Sequence, residues 1–135
     1  MNKNKIFNYN SDISAVNNTQ LVVPKSVAII GLGRWGKIMA RVLANFNPKI
    51  SNIFLVAERN YSDVKKWVDS ELLKGFENDQ SNRFTILKST NNIKNNKNID
   101  TVFITKMAAE HYSVTKSMVL SNKHVFVEKP FVLDV

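Results

Sequence analysis

Ser26-Val27-Ala28-Ile29-Ile30-Gly31-Leu32-Gly33-Arg34-Trp35-Gly36 is the stretch whose reading decides the fold. A short, largely β-branched run without polar alternation predicts a strand buried on both faces of a parallel sheet. It ends in G-x-G-x-x-G, and a segment with helical apolar periodicity starts at Trp35, so strand, glycine turn and helix follow without a gap. In that setting the glycines have separate tasks. Gly31 permits the tight turn, Gly33 lets backbone approach a pyrophosphate with no Cβ between them, and Gly36 lets the helix pack close to the strand. The free N–H groups of residues 33–36, at the positive end of the helix dipole, then face the phosphates. The candidate cradle is the whole turn, Gly31, Leu32, Gly33, Arg34, Trp35 and Gly36; Arg34 either adds a charge to the phosphates or simply meets solvent.

Outward from this turn the pattern repeats. Residues 35–47 place Ile38, Met39, Val42, Leu43 and Phe46 on one apolar stripe of a helix, with Pro48 just beyond its end. Residues 52–57 read as a second strand, and 62–76 as a second helix with Val64, Trp67, Val68 and Leu72 on one face and Gly75 at its close. A third strand spans 83–87, an Asn- and Lys-rich connection with room for one helical turn spans 89–98, and a fourth strand spans 100–105. A helix over 109–121 carries Tyr112, Val114, Met118 and Val119, and a fifth buried strand spans 124–127. Alternating strands and helices of these lengths predict a doubly wound, parallel α/β sheet with right-handed crossovers. Residues 1–25 are rich in Asn and lack a sustained period, and are expected to form a flexible arm.

Composition narrows the chemistry. A chain of 135 residues, 44% hydrophobic and 22% charged, suits one globular domain. With 19 Lys plus Arg against 11 Asp plus Glu, the formal charge of +8 favours a partner carrying phosphate or carboxylate. The absence of cysteine removes thiolate nucleophiles, disulfides and Cys-based metal sites, and with two histidines, His111 and His124, no metal is expected. The longest apolar run is broken by Pro24, Lys25 and Ser26, short of the roughly 18 residues of a membrane helix. A soluble, cytoplasmic protein without membrane association is the expectation. Nucleic-acid binding is not expected either, because the lysines are scattered and no aromatic platform accompanies them.

In a doubly wound sheet the residue ending the second strand faces the adenine ribose, and here it is Glu58. A carboxylate accepts from both ribose hydroxyls and repels a 2′-phosphate, which leans toward NAD. The neighbouring Arg59, which can stack on adenine or grip a 2′-phosphate, leans toward NADP, with Asn60 and Lys65 in support. A solvated Glu-Arg pair at a strand end is the plain alternative. After the fifth strand, Glu128, Lys129 and Pro130 bunch at the edge where ligands bind; by residue type alone they read equally as a polar strand end.

These residues carry a resemblance. The K-H-V-x-x-E-K-P stretch at Lys123 to Pro130, the three glycines of the turn, and His111 seventeen residues before Glu128 resemble the N-terminal nucleotide-binding domain of the Gfo/Idh/MocA oxidoreductases, the family of glucose–fructose oxidoreductase and inositol dehydrogenase. The resemblance runs from about Ser26 to Val135 and implies that residues 26–135 form a Rossmann-type dinucleotide-binding domain. It implies an NAD(P)-dependent oxidoreductase passing hydride between nicotinamide and a sugar, cyclitol or related substrate. Lys129 then holds the position of the catalytic lysine at the nicotinamide ribose, and Glu128 belongs to the same cofactor-facing motif. Thr105 and His111 belong to the loop and helix start that close over the dinucleotide. The chain departs from the family where Thr-Pro-Asn is replaced by Thr105-Lys106-Met107, one residue longer before His111. It departs again where Ala-Gly is replaced by Ser121-Asn122, a position at which Asn tolerates the left-handed backbone. The family's C-terminal substrate domain has no counterpart in these 135 residues, so the expectation is an exposed sheet edge, marginal stability, or a partner that completes the fold, either a second copy or a complementing chain. A dinucleotide-binding module without chemistry stays open beside the enzyme.

Overall fold

The computed structural model describes residues 24–46, 50–76 and 78–131. Five parallel strands form one sheet in the order β3-β2-β1-β4-β5: β1 is Ser26–Ile30, β2 Asn52–Val56, β3 Phe84–Leu87, β4 Thr101–Ile104 and β5 His124–Val127. The order reverses at β1, with β2 on one side and β4 on the other, and a doubly wound sheet opens its cleft at such a switch point. β1 is buried along its whole length, as its unbroken apolar run requires. Alternate residues feed two cores. Val27 and Ile29 join Leu43, Leu55, Val64 and Trp67 on one face, while Ala28 and Ile30 join Ile93, Val102, Ile104 and Met118 on the other.

The helices differ from the periodicity reading in informative ways. Helix α1, Arg34–Ala44, buries Gly36, Ala40, Leu43 and Ala44, whereas Ile38, Val42 and Phe46 of the expected stripe are exposed. The glycine turn brings this helix so close to the strand that Gly36, Ala40 and Ala44 share the buried face with Leu43, and Met39 packs against the same core. Its end is closed by Asn45, whose side-chain amide donates to the Arg41 carbonyl at 2.8 Å; Pro48, expected to stop it, lies outside the described residues. The second helix begins as α2, Tyr61–Trp67, and continues as a wider π turn, Val68–Leu72, and a 3₁₀ turn, Leu73–Gly75. Val64, Trp67, Val68 and Leu72 are its buried residues, the face the spacing predicts.

One helical turn, α3 (Asn91–Lys94), fills the expected place in the Asn-rich connection, and α4, Ala108–Val119, precedes β5. Met118 of α4 is buried, but Tyr112 and Val119 are exposed. Asn122, between α4 and β5, has φ of 57°, the left-handed conformation expected of it. β5 is not the buried strand the reading predicts. It sits at the end of the strand order, His124 and Phe126 are exposed, and Phe126 stacks on Phe103 of β4 with ring centroids 5.0 Å apart. The arm expected over residues 1–25 lies outside the described residues except for Pro24 and Lys25, and no helix among the described residues is long and apolar enough to cross a membrane.

Candidate functional site

At the carboxyl end of β1 the backbone turns at Gly31 with φ of +101°, a conformation L side chains rarely adopt. A Cβ there would also lie 2.8 Å from Lys106 N and Cγ. The turn is held from β4: Thr105 N donates to the Ile30 carbonyl at 3.0 Å, and the Thr105 hydroxyl donates to the Gly31 carbonyl at 2.6 Å. Gly36 faces that same carbonyl so closely that a Cβ would collide with it. Gly33 is different, because a Cβ built on it meets nothing within 4 Å. Gly33 also caps α1 without any side-chain hydrogen bond, and the first turn of α1 holds no acidic residue. Among the described residues no side chain compensates the positive end of this helix and none fills the space in front of Gly33, as a phosphate cradle requires.

A cleft of about 300 Å³ lies beside the turn, across the ends of β1, β2 and β4. Of the residues proposed from sequence, Gly31, Leu32, Gly33, Glu58, Arg59 and Thr105 line it. Arg34, Trp35 and Gly36 do not, and Trp35 is exposed. The opposite wall is a charge network. Glu58 Oε1 accepts from the Thr90 N–H at 3.1 Å and the Thr90 hydroxyl at 3.0 Å, and Glu58 Oε2 accepts from Lys106 Nζ at 2.7 Å. Lys106 Nζ also lies 2.9 Å from Glu110 Oε1, to which Arg59 donates at 3.2 Å. Burial pushes the Glu58 carboxyl up, but the Lys106 hydrogen bond, the two bonds from Thr90 and the ammonium charge outweigh it and hold the group below its ordinary value. For Lys106 burial pushes down, and the two carboxylates outweigh it and hold the ammonium above its ordinary value.

Sequence reading placed Glu58 at this wall but not its partners. Lys106 read as a departure from a pattern; the only local signal was its i,i+4 spacing to Glu110, and nothing in the sequence points to Thr90. His111 is buried and stands outside the cleft, with Nδ1 2.7 Å from the Pro130 carbonyl and Nε2 2.9 Å from the Lys106 carbonyl. It ties the loop after β4 to the segment after β5. Glu128 continues the ladder by donating its N–H to the Ile104 carbonyl at 2.9 Å, Lys129 is exposed, and the Lys129–Pro130 peptide is cis; neither Glu128 nor Lys129 lines the cleft. Lys123, from the same motif, is buried and donates to the Asn96 and Ile99 carbonyls at 2.7 and 2.6 Å, a structural clamp that residue type did not reveal. No group of three His, Cys, Asp or Glu residues among the described ones could hold a metal ion.

A parallel sheet with this strand order, and a glycine turn opening on a cleft at its switch point, defines a dinucleotide-binding Rossmann domain. The chain belongs to the Gfo/Idh/MocA oxidoreductase family, whose NAD-binding Rossmann fold matches residues 25–135. Myo-inositol 2-dehydrogenase from Lactobacillus plantarum is similar, at 29% identity and a TM-score of 0.64 over 83% of this chain and 30% of that one. Scyllo-inositol dehydrogenase from Lactobacillus casei, solved with bound NAD(H) and scyllo-inositol, is similar at 28% identity and a TM-score of 0.61 over 81% of this chain and 29% of that one. The chain thus spans about 30% of the length of these solved structures. No curated protein sequence matches it.

Proposed function

We propose that this chain is the nucleotide-binding portion of an NAD(P)-dependent oxidoreductase acting on a cyclitol, sugar or related hydroxyl or carbonyl compound. The observation that carries this reading is the space in front of Gly33 at the start of α1, which no described residue fills or compensates, beside a cleft that Glu58 also lines. The residues present fit a dinucleotide: the turn from Gly31 to Gly36 binds and orients its phosphates through backbone N–H groups, and Glu58 accepts hydroxyls of its adenosine ribose. That carboxylate favours NAD over NADP, with Arg59 as the opposing influence. Bound nicotinamide supplies or accepts the hydride. Thr105 shapes the turn, and His111 fixes the loop after β4 against the segment that carries Glu128 and Lys129. Lys129 would act as polariser of a substrate oxygen and donor to a ribose hydroxyl. The cyclitol class is supported by the inositol dehydrogenases among the relatives. A second reading, a dinucleotide-binding module without turnover, is favoured by the position of Lys129, exposed and outside the cleft.

Calorimetric titration with NAD, NADH, NADP and NADPH tests the cofactor without knowledge of the substrate. Saturable binding, tighter for the NAD pair and abolished by Gly33→Val, is the expected result. No binding by a chain shown to be folded would overturn the reading.

A further inference from the structure

In the proposed site the ribose depends on the Glu58 carboxylate, and that carboxylate is already engaged. Its Oε1 uses both lone pairs on Thr90, at 3.1 and 3.0 Å, and its Oε2 gives one to Lys106 at 2.7 Å. Of a carboxylate's roughly four acceptor positions, one is left, and two adjacent ribose hydroxyls need two. One partner must leave. Thr90 holds Oε1 twice, by a backbone N–H fixed at the entry to α3 and by the hydroxyl beside it, so losing the hydroxyl alone still leaves that oxygen occupied; Oε2 is held by Lys106 alone, whose ammonium ends a flexible stem.

That stem has a particular course. It starts beside the glycine turn, where its Cγ stands 2.8 Å from the place a Gly31 Cβ would occupy, and ends between Glu58 and Glu110 with the side chain only 12% exposed. The four charged groups on this wall, Glu58, Glu110, Arg59 and Lys106, sum to zero. A neutral ligand offers nothing to draw an ammonium away from two carboxylates. A pyrophosphate at the start of α1 does, because it brings negative charge to the part of the cleft from which Lys106 extends.

We infer that Lys106 is a two-position counter-ion that selects phosphate-bearing nucleotides. It holds Glu58 and Glu110 until phosphates enter, then moves its ammonium to them and releases Glu58 Oε2 for the ribose hydroxyls. The inference rests on the dinucleotide reading of the cleft and adds that the ribose contact is conditional on the phosphate contact. Phosphate-free adenosine, unable to displace Lys106, meets an occupied carboxylate.

The test compares NAD, ADP and adenosine as ligands of the wild-type chain and of Lys106→Met, which keeps an unbranched stem over Gly31 and removes the charge. NAD and ADP should bind about tenfold more weakly to the variant, as expected for loss of one charge-assisted contact, while adenosine binds severalfold more tightly. Equal tightening of all three would overturn the inference and leave Lys106 a simple competitor for Glu58; unchanged affinities would overturn it and leave an inert ion pair. A measurement on the wild-type chain guards against a variant that fails to fold. The Lys106 side-chain resonance, in a chain labelled at lysine Cε, should move on saturation with ADP and stay in place with adenosine; no movement with ADP overturns the inference. NAD binding with an unaltered ADP-to-adenosine preference in Lys106→Met sinks this inference alone. A folded wild-type chain that binds neither NAD nor ADP sinks the dinucleotide reading and this inference with it.

Discussion

Gly33 and Gly36 belong to one turn and are held by opposite constraints. At Gly36 a Cβ collides with the Gly31 carbonyl, a backbone atom that cannot swing aside, so Gly36→Ala should cost about 2–3 kcal/mol in a denaturant titration. An unchanged midpoint would show that α1 shifts freely over the sheet. Glu58 makes a different kind of prediction, in pH. Its carboxyl is lower in the folded chain than in the unfolded one, so its contribution is complete above the unfolded value of about 4.3 and is lost as pH falls through the folded value. In Glu58→Gln the unfolding free energy should therefore fall less steeply into acid than in the wild type. Identical slopes would mean that Lys106 and Thr90 do not favour the ionised form.

At the scale of the element, α1 is the informative case. Leu43 is 6% exposed and packs in the core beside Ala40 and Ala44, whereas Val42, one position earlier, is 54% exposed. Leu43→Ala should cost about 2–5 kcal/mol and Val42→Ala no more than about 0.5 kcal/mol in equilibrium unfolding. Comparable losses would restore the stripe that periodicity suggests. Periodicity finds Leu43 and Met39 of the core-facing side but not Gly36, Ala40 and Ala44, because large apolar residues dominate a periodicity count, while the buried face of this helix is chosen by how near Gly36 lets it come. The face of α2 and the π turn after it is legible because nothing demands a close approach there, and bulky Val64, Trp67 and Leu72 are buried along it.

For the molecule as a whole, binding and stability are linked. A ligand that binds only the folded chain adds about 2.7 kcal/mol at a hundredfold excess over its Kd, a rise in melting temperature of roughly 10 °C for a domain of this size. NADH should produce that rise in the wild-type chain and none in Gly33→Val. Because a Cβ at Gly33 meets nothing within 4 Å, the variant should otherwise lose only the N-cap preference of glycine over valine, about 1 kcal/mol or roughly 5 °C. A variant that melts far lower without ligand would make Gly33 a structural glycine.

The alternation of short apolar runs with helical segments was enough to establish the parallel α/β sheet, because a strand covered on both faces is mostly apolar and each crossover needs a helix's length. The glycine turn was legible for the same local reason: Gly31 needs its positive φ and Gly36 its missing Cβ whatever the rest of the chain does. The tertiary structure decided what depends on distant partners. It put β5 at the sheet edge with Phe126 exposed, buried His111 between two loops outside the cleft, and joined Glu58 to Lys106 across 48 positions of sequence. Strand order sets these proximities, and strand order is fixed by how the two sheet faces bury their apolar area together, a property that no local stretch of residues contains.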